Sequence, residues 1–598
     1  MARAFRVRSR VAVALVVTGA SLLSVVVVSA AHRFDRQQPA TSSTQAVPAT
    51  AVPPPTEDPQ KDDGTPILSE AVVKNCGQCH AQDEKKRMSR LSYRRTTPEG
   101  WEQTIKRMVT LNSLTVSPED AHEVLRYLSN NLGLAPEEAR PAAFELERRI
   151  IDFHYEDKAT EETCNRCHSI GRVLLQRRTK QEWELLIAMH RGYYPYSDFQ
   201  AFMRPPSIRI EPDADGRPPD RRQPYEKAIA TLASAFPLRT PEWAAWSANV
   251  RPPRLQGRWA LSGYQLGRGP VYGEVQVTPG GPAGDEFTTD IHLVYARGGK
   301  TVARTGKAIV YTGFQWRGRS TEGATPDSSL REVMFIDRDW GRMSGRWFTG
   351  AYDETGIDVQ LQKLGTDPIV LGASPSAMKT GASGQSLRVF GAGFPNGLTP
   401  RDVDLGEGVT VTRLVSATPS ELQVEVDVAA GARIGARDLF VAGASRNAAV
   451  VVYDRVDLVK VRPQAGMARV GGANFPRGYQ QFEAVAYQNG PDGKPASKDD
   501  LSLGIVDASW TLEEFTATFG DDDLNFVGAI DQTGLFTPNE DGPNLKRKNH
   551  AVNVGDVWAV ATLAADDKAG VLKPIRGRAH LLVTVPLYMK WDQPEVSR

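Results

Sequence analysis

Cysteine is almost missing from this chain: four occur in 598 residues, and none stands apart from a pair. Histidine is nearly as scarce, at nine. An excess of charge of either sign is missing too, since 72 Lys and Arg face 71 Asp and Glu for a net charge of +1. That balance removes any global electrostatic reason to expect nucleic acid or an anionic membrane surface as a partner. The sequence also lacks G-x-S-x-G, H-E-x-x-H, a Walker loop and a strand-linked G-x-G-x-x-G. Hydrolase, zinc-protease and nucleotide chemistry therefore have no motif to stand on, and no catalytic residue is nominated.

What the chain does have begins at its N-terminus. Arg3, Arg6, Arg8 and Arg10 precede an uncharged run over residues 11–31, with Val28-Ser29-Ala30 as a small-residue cleavage site. That order reads as an export signal, and the run is long enough to serve instead as an uncleaved anchor. Residues 1–35 are thus a signal peptide or an N-terminal membrane anchor, and the arginines place everything after them outside the cytoplasm. Residues 36–66, with Pro53-Pro54-Pro55, read as an extended Pro-rich linker.

All four cysteines fall in two C-x-x-C-H motifs, Cys76-Gly-Gln-Cys79-His80 and Cys164-Asn-Arg-Cys167-His168. In c-type haem attachment two thiols form thioethers with the haem vinyl groups and the adjacent His reaches the iron. With nine His in 598 residues, His after both pairs arises by chance about once in four thousand. A structural zinc, two local disulfides or a redox dithiol would each use the cysteines and leave both histidines unexplained. Two covalent c-type haems are therefore expected, with Cys76, Cys79, Cys164 and Cys167 as attachment points and His80 and His168 as iron ligands.

The motifs sit in an internal repeat. After the first, Thr97-Pro98-Glu99 opens a helix containing Trp101, Ile105 and Met108. Ser117-Pro118-Glu119 opens another, expected to stop at Gly133. After the second, Thr179-Lys-Gln-Glu182 reads as a capping box before Trp183, Ile187, Met189 and His190, and a later apolar helix covers 224–235. Aligning Trp101 with Trp183 puts Met108 and His190 at one offset, and both residue types complete six-coordinate electron-transfer haems. The expected ligand sets are His80/Met108 and His168/His190, with Met88 and Met189 as competitors. His122 and His154 fit no repeat position. Two tandem helical cytochrome c domains follow, at 67–150 and 151–254.

Past Arg254 the pattern turns to short alternating runs between Gly, Pro, Asn and Asp, which reads as all-β. Residues 255–365 are most simply a closed antiparallel β-barrel or a sandwich, the barrel being the expectation, 366–463 an immunoglobulin-like sandwich, and 464–598 a second, more decorated one, with strands expected at 505–510, 557–563 and 579–585. The fold class is multidomain, α then all-β. Isolated His292, His550 and His580 and the Asp521-Asp522-Asp523 cluster are read as ordinary surface residues.

This domain order, with the runs at 504–510, 528–536, 542–544 and 553–558, resembles the large alpha subunit of quinohaemoprotein amine dehydrogenase over the chain from about residue 67. The resemblance implies a periplasmic heterotrimer. A propeller (beta) subunit and a small (gamma) subunit would accompany this chain. The gamma subunit would carry a cysteine tryptophylquinone that oxidises primary amines to aldehydes. The present chain would pass the electrons through its haems to a soluble acceptor such as a cytochrome or copper protein. Only Cys76, Cys79, His80, Cys164, Cys167 and His168 carry over residue by residue. The long apolar segment and Pro-rich stalk depart from the family's soluble form. Two other readings stay open: a stand-alone dihaem peroxidase or oxidase, and an anchored dihaem cytochrome whose β domains dock a surface.

Overall fold

The computed structural model describes residues 64–143, 154–205, 220–323, 328–349, 355–472, 474–515, 521–548, 550–566 and 572–586. The expected leader and linker lie outside them. Helix α1 (Glu70–Cys76) is capped by Ser69, whose side chain accepts from Val72 N. Helix α2 (Pro98–Asn112) is capped by Thr97 and α3 (Pro118–Asn131) by Ser117, each with Pro in the first turn. Helix α3 ends two residues short of the expected stop at Gly133. In the second half come α4 (Lys158–Cys164), α5 (Lys180–Tyr193), α6 (Pro224–Ala235) and α7 (Pro241–Ser247). Helices α1, α4 and α7 were not foreseen, although the Thr240-Pro241-Glu242 start of α7 copies Thr97-Pro98-Glu99.

The capping box at Thr179 is half made. Thr179 Oγ1 accepts from Glu182 N at 3.2 Å. The Glu182 carboxylate instead takes Arg90 at 2.9 Å and Arg178 at 3.5 Å. A buried carboxylate gains more from two guanidiniums than from one backbone N–H, so the local motif yields to tertiary charge pairing.

The two halves meet at strands β1 (Arg94–Thr96) and β2 (Gln176–Arg178), antiparallel in the register Arg94↔Arg178, Arg95↔Arg177, Thr96↔Gln176. The caps Thr97 and Thr179 and the buried Trp101 and Trp183 follow at equal distances. The repeat is therefore a local two-fold passing between Arg95 and Arg177. Both guanidiniums close on one carboxylate, Glu138: Arg95 at 2.8 Å and Arg177 at 3.1 Å, with side-chain exposures of 1%, 8% and 3%.

Burial opposes ionisation of Glu138, but the Arg95 hydrogen bonds, the charges of Arg95 and Arg177 and the Ala135 N–H outweigh it and hold the carboxyl at about 2, below its ordinary 4.5. Because the folded value lies below the unfolded one, this stabilisation is complete above pH 4.5 and is lost as pH falls toward 2. Glu138→Ala would leave two buried cations without their shared partner and is expected to destabilise the helical region by about 3–5 kcal/mol. Denaturant unfolding followed by tryptophan fluorescence checks this, and an unchanged midpoint would dismiss the Glu138 knot as a stabilising element.

Beyond the helices, strands β3 (Gly257–Gln265), β4 (Gly269–Pro279), β5 (Glu286–Tyr295), β6 (Thr301–Tyr311), β7 (Gln315–Thr321), β8 (Leu330–Ile336), β9 (Arg342–Thr349) and β10 (Thr355–Lys363) form an antiparallel meander. It closes into a barrel where β10 pairs with β3. Trp259, Trp316, Trp347 and aliphatic side chains fill its core. The barrel braces the helical region through its β6–β7 turn. Thr312 Oγ1 donates to Ser129 O at 3.1 Å, Trp246 Nε1 donates to Thr312 O at 2.9 Å, and Arg317 pairs with the buried Glu99. Phe314 and Phe335 join the apolar cluster around Trp183 and Leu232.

Strands β11 to β18, over Ile369–Ser374 to Ala444–Tyr453, make two four-stranded sheets around an aliphatic core. The last region carries β19 to β28, from Leu458–Arg462 to Leu572–Thr584, in three small sheets. The single strand expected at 505–510 is two. The strand Leu501–Val506 and the strand Ser509–Glu514 belong to different sheets, and Asp507 between them pairs with Arg297 of the barrel.

Candidate haem-binding site

Each C-x-x-C-H motif follows directly from a short helix. Helix α1 ends on Cys76, and the chain turns tightly there: Cys79 N donates to Cys76 O at 3.3 Å and His80 N to the same carbonyl at 2.9 Å. Helix α4 also ends on Cys164, with Asn165 N donating to Glu161 O at 2.9 Å. In both motifs the first thiol is partly buried, the second is exposed, and all four are free of disulfide bonds. Burial, with Cys79 nearby, pushes the Cys76 thiol up to about 11; burial, with Asp157 nearby, pushes Cys164 up to about 12. Neutral thiols of this kind do not suit an activated redox dithiol.

Three histidines present the same electronic arrangement. His80 Nδ1 lies 3.0 Å from Ser89 O, His168 Nδ1 2.9 Å from Ser169 O, and His190 Nδ1 2.8 Å from Leu186 O. A carbonyl can only accept, so each Nδ1 carries the proton and each Nε2 keeps a lone pair. Metal-binding histidines are commonly held in this way. Burial, then Arg172 and His190, lowers His168 to about 4, and burial, followed by nearby arginines, lowers His190 as well. Both imidazoles are therefore neutral at pH 7, the form that binds iron.

The structure brings His168 and His190 together, with ring centroids 6.4 Å apart at 48°. Two imidazoles joined through one metal, with bonds of about 2 Å on each side, place their ring centroids roughly 6 Å apart. The donor set thus fits an iron between the two rings. Phe202 packs edge-on against His190 at 5.8 Å and Tyr194 lies 6.3 Å away. These aromatic neighbours were not nominated from sequence.

Met108 lies near the end of α2, partly buried, its carbonyl accepting from Ser113 N and Leu114 N. Its competitor Met88 is fully buried in the core with Trp101, Leu91 and Leu128. Met88 also adjoins Ser89, whose carbonyl holds His80 from the side away from Nε2. Met189 is partly buried beside His190. His154 faces Glu161 at 3.0 Å, and His122 lies partly buried on α3.

Fold and site together define a multidomain haem-binding protein in which a helical region is braced by a β-barrel and further sheets. Family models of the quinohemoprotein amine dehydrogenase alpha subunit match residues 68–207 (haem binding), 252–364 (domain II), 367–454 (domain III) and 459–596 (domain IV). This chain belongs to the quinohemoprotein amine dehydrogenase alpha subunit family. Comparison with curated proteins gave no match. Among solved structures, a redesigned β-barrel bound to DFHBI is 17% identical, covering 18% of this chain and 94% of that one at a TM-score of 0.16. Protocadherin gamma B2 cadherin domains 3–6 are 10% identical, covering 54% and 92% at a TM-score of 0.15. Scores so low carry no functional argument. Haem binding, and with it electron transfer as a subunit of an amine dehydrogenase, rests on the family and on the site.

Proposed function

We propose that this chain is the dihaem c-type electron-transfer subunit of a periplasmic amine dehydrogenase. It passes electrons from a cysteine tryptophylquinone on a small partner subunit to a soluble acceptor, within an assembly that also holds a propeller subunit. The observation that carries this reading is the facing pair His168 and His190, 6.4 Å apart and each with Nε2 free. His168 and His190, both neutral, would together hold one iron, and a haem held by two such side chains would supply one-electron transfer. His80 and Met108 serve the first haem. The burial of Met88 in the core with Trp101, Leu91 and Leu128 supports that choice.

Bound haem supplies the one-electron chemistry; the chain's own residues hold it, order it and shield it. Cys76, Cys79, Cys164 and Cys167 form the thioethers, and the carbonyls of Ser89, Ser169 and Leu186 set the tautomers. The β domains, with the two sheets at 369–453 read as an immunoglobulin-like sandwich, provide the frame and the surfaces for the partner subunits. Export through residues 1–35, cleaved or retained as an anchor, agrees with thioether formation outside the cytoplasmic membrane.

The test is haem stoichiometry after denaturation. Two haems per chain are expected to survive acid–acetone extraction, since thioethers are covalent, and Cys164→Ala/Cys167→Ala is expected to leave one. One haem or none in the unmodified chain, or stoichiometric zinc, would end this reading.

A further inference from the structure

Between the two attachment motifs the helical region gathers guanidinium groups with too few carboxylates to match them. Arg94 is 8% exposed. Its Nη1 donates to Thr104 Oγ1 at 2.6 Å, its Nη2 to Gly100 O at 3.2 Å, and it lies 5.0 Å from the Trp101 ring. Its Nε is buried and has no partner. Arg107, one turn further along α2 from the shared Thr104, donates Nη2 to that hydroxyl at 3.3 Å, and its Nε too is buried without a partner. Arg178 is 4% exposed; its Nε and Nη2 donate to Gln176 Oε1 at 2.9 and 2.7 Å, and its one carboxylate partner, Glu182 at 3.5 Å, is taken more closely by Arg90. Trp183 Nε1, in the same layer, is another buried donor without an acceptor.

Such an arrangement is costly as it stands. A buried cation without a counter-charge forfeits its solvation, and each unpaired buried N–H adds its own penalty. The partner that a guanidinium fork fits best is an anion with planar oxygen acceptors. Each haem carries a pair of propionate carboxylates. The cluster also lies beside the second site. Arg107 is among the charges that depress His190, together with Arg172 and Arg178. The ends of α2 and α5 are joined by Asn112 Nδ2 and Tyr193 OH at 3.3 Å.

We propose that Arg94 and Arg107 reach across from the first cytochrome module to bind a propionate of the haem attached at Cys164 and Cys167. The inference rests on the dihaem reading above. It makes the second haem site a product of both modules, and it explains why β1 and β2 are paired so as to press the two together. It also gives α2 a double role: one end of the helix serves its own module, while Arg107 raises the reduction potential of the neighbouring haem by favouring the ferrous, less positive state.

The experiment is a spectroelectrochemical titration of the full haem-loaded chain, with the second haem identified as the one whose spectrum His190→Ala alters. Arg107→Gln is expected to lower the midpoint of that haem so that its reduction equilibrium changes by about tenfold, which is about 59 mV for one electron. Arg107→Lys is expected to restore most of it. Arg94→Gln is expected to act in the same direction, and Arg107 covers the case in which the more buried Arg94 variant does not fold. If both haems are attached and titrate but Arg107→Gln moves neither midpoint, or moves only that of the first haem, the inference is overturned and the dihaem reading stands. If the unmodified chain lacks two titrating haems, the dihaem reading itself fails.

Discussion

Replacing His190 with alanine is expected to leave both haems attached and to turn one of them from low spin to high spin. Attachment depends on Cys164 and Cys167, which the substitution does not touch. The change is confined to the far axial position. His190 is held by its Nδ1 at 2.8 Å from Leu186 O and by the edge of Phe202, so the imidazole stands ready before any iron is bound. Alanine removes the donor and leaves a gap that water or an added ligand such as imidazole can fill. Adding imidazole should therefore return the low-spin spectrum. Met108→Ala is expected to act on the other haem in the same way. An unaltered spectrum in the His190 variant would move the ligand to Met189, and in the Met108 variant would move it to Met88. High spin in the unmodified chain would revive the peroxidase reading, since it implies an iron with an open position.

What could be read without coordinates, and what could not, follows from the distance over which each feature is built. The attachment turns were legible because their parts are contiguous: Cys76 O accepts from residues three and four positions along. The helix starts at Thr97, Ser117 and Thr179 were legible because a cap is a local bargain between a hydroxyl and the next turn. The barrel was legible from alternation alone, although nothing in its strands told a barrel from a sandwich. The knot of Arg95, Glu138 and Arg177 was not, because it joins residues some forty positions apart. Its signal was present as the two Arg-Arg-Thr triplets at 94–96 and 177–179. Their meaning depends on a strand pairing that no local pattern announces. Glu182 failed as a capping-box partner for the same reason: a distant Arg90 outbids a neighbouring N–H. The strand break at Asp507 was likewise hidden, because the strands on its two sides pair into different sheets with partners far along the chain.

Primary amine is expected to reduce the haems of the assembled complex rapidly and those of the isolated chain not at all. A haem whose two axial positions are taken by protein side chains passes electrons singly. Amine oxidation removes two electrons and a proton from one carbon–nitrogen unit. That step needs an organic cofactor able to hold the pair, and a general base close to the amine carbon. In this chain all four cysteines belong to the attachment motifs, so none remains to build a quinone with tryptophan. Trp259, Trp316 and Trp347 pack the core of the barrel. On the proposed ligation, His80, His168 and His190 would be held by iron and could not act as bases. Stopped-flow absorbance at the haem bands separates the cases. Dithionite should reduce both haems of the isolated chain, amine should leave them oxidised, and addition of the propeller and small subunits should bring on amine-dependent reduction. Fast reduction by amine in the isolated chain would refute the subunit reading and send the search for a catalytic group into the β domains.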